Sequence, residues 1–206
     1  MSNIRSIAHS NLLHHLIRPA RGGAGALIVV FAILMSVSAS AGLLGMPLGL
    51  ILLSWFFKYA YILFDHVVRG VDDPPTLDIQ MVNPLNEQRP LAQLVILGAL
   101  AAGLYFAWIN LPPALTYGLA ALVALVLPAS VAVLGLESNP LKAINPIALA
   151  RMIAGLGLMY AAVLVLIALY FTAFGLLGRL SLWLPVRFAA TMFATLSLFS
   201  ALAGAL

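Results

Sequence analysis

Four long stretches of this 206-residue chain contain no Asp, Glu, Lys or Arg. They cover residues 22–57, 90–136, 152–178 and 188–206. A helix needs about 20 mostly apolar residues to cross the hydrocarbon core of a bilayer. The first two stretches are therefore long enough for two crossings each and the last two for one. We predict an integral membrane protein with six spans.

Glycine and proline divide the two longest stretches. Gly42, Gly45 and Pro47 interrupt the first, and Pro112-Pro113 interrupts the second, because proline has no amide hydrogen to donate. The predicted spans are 24–41, 48–66, 91–109, 114–133, 149–174 and 187–205. Barrel strands alternate apolar and polar residues, whereas 119–127 is apolar throughout, so the spans are predicted to be helices.

The predicted fold class is all-α: a polytopic transmembrane helical bundle of six spans in three hairpins over residues 23–206. A basic cytoplasmic or interfacial segment, 1–22, precedes it. With both termini on one side, that side receives all ten basic residues except Arg179 and Arg187. Basic residues accumulate in cytoplasmic connections, so both termini are predicted to be cytoplasmic.

The apolar run 26–37 followed by Ala39-Ser40-Ala41 also fits a cleavable secretory signal, whose removal would leave five spans in the same orientation.

Composition excludes several classes of function. The chain has no cysteine, so it contains neither disulfides nor thiolate metal sites. Its net charge of +4 comes from scattered basic residues that form no recognition helix, so nucleic acid is not a predicted partner. The bilayer is the predicted partner, with other membrane or cytoplasmic proteins as a further possibility. Without a serine-histidine-acid arrangement, phosphate loop or zinc-helix motif, we predict no enzyme activity and no cofactor.

The connection after the second span is the longest polar segment. Asp65 and Arg69 have the i,i+4 spacing of a helix-surface ion pair, Gly70 is a typical helix stop, and Pro74-Pro75 keeps the chain extended. The acidic residues and His66 have two interpretations. In the first, they are ligands of a hard metal ion. In the second, they belong to a solvated connection with helix caps. The spacing is not that of a calcium loop, which favours the second. The metal hypothesis would use Asp65, His66, Asp72, Asp73 and Asp78.

Asn-Pro pairs recur at 83–84, 139–140 and 145–146. Asparagine is a good N-cap and proline suits the first helical position, so each pair predicts a helix start on the cytoplasmic side. We predict that partner proteins contact these starts and the connection, through Asp65, His66, Arg69, Asp72, Asp73, Pro74, Pro75, Asn139, Pro140, Asn145 and Pro146. Lys58, near the cytoplasmic end of its span, comes closest to a charged residue inside the membrane, and we predict that it can snorkel to the interface. The Ser and Thr residues of the spans are expected to pack helices.

Several of these features together resemble a bacterial and archaeal family of multi-spanning membrane proteins of unknown function. They are Tyr59 and Tyr61, the connection from Gly70 to Pro74-Pro75, and Asn145-Pro146 followed by Arg151 and Tyr160. The chain departs from that pattern in lacking a tryptophan after the proline connection. The resemblance covers most of the chain from Lys58 onward. It implies a six-helix protein of the bacterial inner membrane and no particular activity.

Two functions remain open from the sequence. The first is a non-enzymatic accessory, assembly or scaffold subunit that acts through its cytoplasmic connections. The second is a transporter or channel for a small uncharged or lipidic solute. A polar path along the spans would favour transport, whereas a tightly packed bundle with a protruding connection over 65–90 would favour the accessory role.

Overall fold

The computed structural model describes residues 17–20, 23–71, 75, 87–177 and 182–206, and every regular element in these ranges is helical. Six of the helices are long and apolar enough to cross a membrane. The chain is thus a multi-pass integral membrane protein. The helices are α1 Gly23–Ser40, α2 Met46–Val68, α3 Gln88–Asn110, α4 Pro113–Glu137, α5 Pro140–Ala143, α6 Pro146–Leu156, α7 Leu158–Leu177 and α8 Leu184–Gly204. Short 3-10 turns cover Arg18–Ala20 and Gly42–Gly45.

Helices α2 and α8 form the centre of the bundle. Helix α8 packs against both α1 and α2, and α2 also packs against α1 and α3. Helix α3 packs against α4, while α7 joins the bundle mainly along α8. The core consists largely of α2 and α8 side chains such as Tyr61, Leu63, Phe64 and Leu196, all at most 1% exposed. The outer faces of α3 and α7 are left to the surrounding lipid.

Helix α2 ends in a glycine stop, as predicted. Gly70 has φ +70°, a left-handed conformation that glycine adopts without strain. The Val71 amide donates to the His66 carbonyl at 2.9 Å, and the Gly70 amide donates to the Val67 carbonyl at 3.0 Å. These are the paired hydrogen bonds of a Schellman motif, which satisfies carbonyls that a helix end leaves open. The prediction of a helix stop at Gly70 is confirmed.

Two of the three predicted asparagine caps are also confirmed. The Asn139 side chain accepts a hydrogen bond from the Leu141 amide at 3.0 Å, and that of Asn145 accepts one from the Ile147 amide at 2.9 Å. Each cap starts a helix with proline at its beginning. Helix α5 is the short turn that two caps six residues apart require. The pair at 83–84 lies outside the described residues.

The prediction of one continuous helix over 149–174 is wrong. Helix α6 ends at Leu156 and α7 starts at Leu158, and between them Gly157 has φ +51° and ψ −120°. A residue with a Cβ atom is strained in such a backbone conformation, whereas glycine is not. Hydropathy does not reveal this break, because the residues on both sides of Gly157 are apolar and the pattern continues across it.

Candidate intramembrane site

Helix α2 carries a line of polar side chains, here called the polar stripe, formed by Ser54, Lys58, Tyr61 and Asp65. Spacings of four, three and four residues place all of them on one face of the helix. Ser54 is 4% exposed, Lys58 6% and Tyr61 0%, while the Asp65 side chain at the helix end is 28% exposed. A buried polar face therefore runs from the end of the span into its middle.

Arg89 closes the outer end of the polar stripe. Its guanidinium donates two hydrogen bonds to the Asp65 carboxylate, at 2.9 and 2.8 Å, and one to the Gly135 carbonyl at 3.1 Å. It also pairs with Glu87. This fork geometry gives strong, directional pairing, and it joins the end of α2 to the start of α3 and the end of α4. The predicted ion pair of Asp65 with Arg69 does not form, because both oxygens of the Asp65 carboxylate accept hydrogen bonds from Arg89.

Tyr61 continues the network inward. Its hydroxyl donates to the Gln93 Oε1 at 2.8 Å, and the Arg89 guanidinium lies 5.2 Å from the centre of its ring. On the other side the ring meets Phe199 of α8 edge-on, with 5.2 Å between centroids. Tyr61 thus connects the polar groups of α2 and α3 with the aromatic core of the bundle.

Lys58 lies near the middle of α2. It stands ten residues before the last residue of α2, which corresponds to about 15 Å along the helix axis. With 6% exposure the side chain is enclosed by the bundle, and snorkelling of its ammonium to the interface stays a prediction. An ionisable residue inside a membrane span is costly and by default marks a functional position.

An apolar cavity of about 470 Å³ lies beside the polar stripe, between α2, α3, α4, α7 and α8. Leucine, valine and phenylalanine side chains dominate its wall, and its polar members are Gln93 and Thr195. The Gln93 oxygen accepts a hydrogen bond from the Tyr61 hydroxyl. Predominantly apolar walls with a few placed polar groups are typical of ligand sites.

A helix with an internal proline forms one wall of this cavity. Pro128 of α4 has no amide hydrogen for the helical bond to the carbonyl four residues earlier. At the next bond, the Tyr160 hydroxyl donates to the Leu125 carbonyl and accepts from the Ala129 amide at 3.2 Å. Tyr160 thereby satisfies backbone groups that lipid could not satisfy, and it fixes the start of α7 to the interrupted helix.

The predicted partner-contact residues that the structure describes lie around the charged end of the bundle. His66 is half-buried with its Nδ1 2.9 Å from the Ile62 carbonyl oxygen, and Arg69 is exposed. Pro75 is buried, and its carbonyl accepts from the Tyr59 hydroxyl at 3.5 Å. Arg18 donates to the Val71 carbonyl, which fixes this part of the connection to the bundle.

The asparagine and proline residues at 139–140 are half-buried, and those at 145–146 are exposed. Asp72, Asp73 and Pro74 lie outside the described residues, and so does Asp78 of the metal hypothesis. Within the described ranges no group of three or more His, Asp or Glu side chains is placed to hold a metal ion.

Arg89 and Gln93 were missed as site residues from the sequence. Their i,i+4 spacing puts them on one face of α3, and the 54, 58, 61, 65 pattern puts four polar groups on one face of α2. Both periodicities can be read from the sequence, but the sequence does not show that these faces of α2 and α3 pack against each other.

Comparison with family models, with curated proteins and with solved structures found no match for this chain. The resemblance to a bacterial and archaeal membrane-protein family therefore stays a prediction.

Proposed function

We propose that this membrane protein binds a lipidic solute, and moves it within the bilayer, through the cavity beside the polar stripe. The observation that carries the proposal is the cavity itself, which is apolar, formed by five spans and adjacent to a buried polar network. Its volume of about 470 Å³ falls in the ordinary range for small-molecule sites.

The lining supports the proposal of an amphipathic ligand. Leu97, Leu104 and Phe171 offer an apolar channel for a hydrocarbon chain. Gln93 stands nearer the charged end of the bundle, where its amide nitrogen can donate to an acceptor such as a carbonyl or ester oxygen. A single-chain lipid with an oxygen-bearing headgroup matches both parts of the wall.

We further propose three hairpins with both termini in the cytoplasm of a bacterial cell. In support, the charged side chains of Asp65, Arg89, Lys142 and Arg151 gather at one end of the bundle, while Arg187 lies near the start of α8 at the other end. A basic excess at one end favours the cytoplasmic side.

The test uses a diazirine-bearing fatty acid as photoactivatable probe, with purified protein in lipid nanodiscs. Ala124 lines the cavity, whereas Ala121, one turn away on α4, is exposed outside it. Ala124→Trp is expected to reduce labelling of α4 and α7 peptides several-fold by filling the cavity, and Ala121→Trp is expected to leave labelling unchanged. Equal labelling of the two variants would contradict the proposal.

The accessory or scaffold role stays a prediction beside this one. Its predicted contact residues include Asp72, Asp73 and Pro74, which lie outside the described residues. Affinity purification after alanine substitution of Asp72 and Asp73 tests it. Unchanged recovery of partner proteins would argue against it.

A further inference from the structure

A second cavity, here called the elbow groove, opens at the charged end of the bundle. It has a volume of about 630 Å³ and lies between the end of α4, helices α5 and α6, and the last residues of the chain. Its apolar wall includes Val133, Met152 and Leu156, and its polar wall includes Lys142, Asn145 and Arg151. The elbow groove shares no lining residue with the cavity beside the polar stripe.

The charges of the elbow groove leave one cation available. Lys142 forms an ion pair with Glu137, and both side chains are about half exposed. Arg151 is exposed and makes no ion pair or hydrogen bond with any part of the chain that the structure describes. A guanidinium presents a planar fork of donors that matches the oxygens of a phosphate group. Lys142 and Glu137 neutralise each other, so Arg151 is the unpaired charged side chain among the described residues that line the elbow groove.

We expect the elbow groove to lie at the boundary between lipid headgroups and hydrocarbon. The candidate span of α4 ends at Glu137, and that of α7 begins at Leu158, with one residue between it and α6. Leu141, Ile144 and Ile147 of the elbow are 75%, 57% and 62% exposed. Exposed aliphatic side chains interleaved with basic ones suit a segment that lies in the membrane interface.

We infer that the elbow groove binds the phosphate headgroup of an anionic membrane phospholipid. Arg151 contacts the phosphate, the ion pair of Lys142 with Glu137 lies at the rim, and the wall formed by Val133, Met152 and Leu156 receives the start of an acyl chain. Basic pockets between transmembrane helices on the cytoplasmic side are a known mode of anionic lipid recognition. The occupant is a bilayer lipid rather than free phosphate, because the apolar wall contributes only when a chain is attached.

The experiment is native mass spectrometry of the full chain released from nanodiscs that contain equal amounts of phosphatidylglycerol and phosphatidylcholine. Wild-type protein is expected to retain one phosphatidylglycerol in preference to phosphatidylcholine. Arg151→Gln should lower that preference about fivefold, since one basic residue at the surface changes the affinity by about that factor. Arg151→Lys keeps the charge and should retain most of the preference, and the double variant Arg151→Gln/Lys142→Gln should lower it further.

Two control variants distinguish binding in the elbow groove from a general attraction of anionic lipid to basic residues and from binding in the cavity beside the polar stripe. Arg69→Gln removes an exposed cation at the same end of the bundle but outside the elbow groove, and it should leave the lipid preference unchanged. Ala124→Trp should also leave it unchanged, so a failure of the proposed lipidic cavity would not affect this result.

Three outcomes would overturn the inference. The first is equal retention of both lipids by wild-type protein, and the second is an equal loss of preference in Arg151→Gln and Arg69→Gln. The third is displacement of the lipid by millimolar inorganic phosphate, which would show that the headgroup alone is the ligand.

Discussion

Helices α2 and α7 are both apolar spans of about 20 residues, yet they occupy opposite positions in the bundle. In the apolar window of the α2 span 56% of the residues are buried, against 11% for α7, although α7 is the more hydrophobic of the two. An apolar side chain gains little free energy by moving from lipid into the bundle interior, because both environments are apolar. A buried polar group, by contrast, finds partners in the bundle interior that lipid cannot offer. Polar positions therefore indicate which spans are central.

The largest expected effect concerns the polar end of α2. Arg89→Met leaves the Asp65 carboxylate, 28% exposed, without its cation, and we expect a loss of about 2–3 kcal/mol in the free energy of unfolding, below the value for fully buried pairs. The measurement is unfolding of the purified protein by SDS in uncharged micelles, followed by tryptophan fluorescence. Lys142→Met breaks the half-exposed pair with Glu137 and should cost less than about 1 kcal/mol. Similar losses in the two variants would remove the distinction between buried and exposed charge.

A matched pair of leucines tests the comparison directly. Leu63 of α2 is 0% exposed and Leu169 of α7 is 62% exposed. Leu63→Ala should cost about 2 kcal/mol, because the cavity it leaves inside the bundle cannot be filled. Leu169→Ala should cost less than about 0.5 kcal/mol, the ordinary range for surface changes, because surrounding tails replace the lost contacts. The same SDS titration compares the two variants. Equal losses of unfolding free energy would show that another protein surface, rather than lipid, covers the outer face of α7.

The smallest expected effect concerns Tyr160, near the start of α7. Tyr160→Phe removes the hydroxyl that satisfies Leu125 and Ala129 next to Pro128, and should cost about 0.6 kcal/mol, the average for hydrogen bonds within membranes. Pro128→Ala permits a regular helix there, so the Tyr160→Phe substitution should cost less in that background. A double-mutant cycle measures this coupling. Additive costs would contradict the role given to Tyr160, and Tyr105→Phe, at an exposed position on α3, is the neutral control.

The sequence predicted the features that depend on local chemistry. Six apolar spans, the glycine stop at Gly70 and the caps at Asn139 and Asn145 follow from hydropathy and backbone hydrogen bonding, and all are confirmed. What could not be predicted depends on tertiary contacts. Asp65 has Arg69 one turn away, but Arg89, whose side chain is 12% exposed, lies beside Asp65 and also donates to the Gly135 carbonyl, so the distant residue is the partner. The burial of Lys58 at 6% exposure likewise could not be predicted, because a single sequence does not show which helices surround it.

The break at Gly157 has a consequence for the dimensions of the surrounding membrane. Helix α7 has 20 residues and is therefore about 30 Å long, which equals the thickness of an average hydrocarbon core. A continuous helix through α6 and α7 would measure about 48 Å at the same rise per residue and would have to tilt steeply or thicken the bilayer around it. By turning the chain at one residue, Gly157 lets α7 match an ordinary bilayer without hydrophobic mismatch.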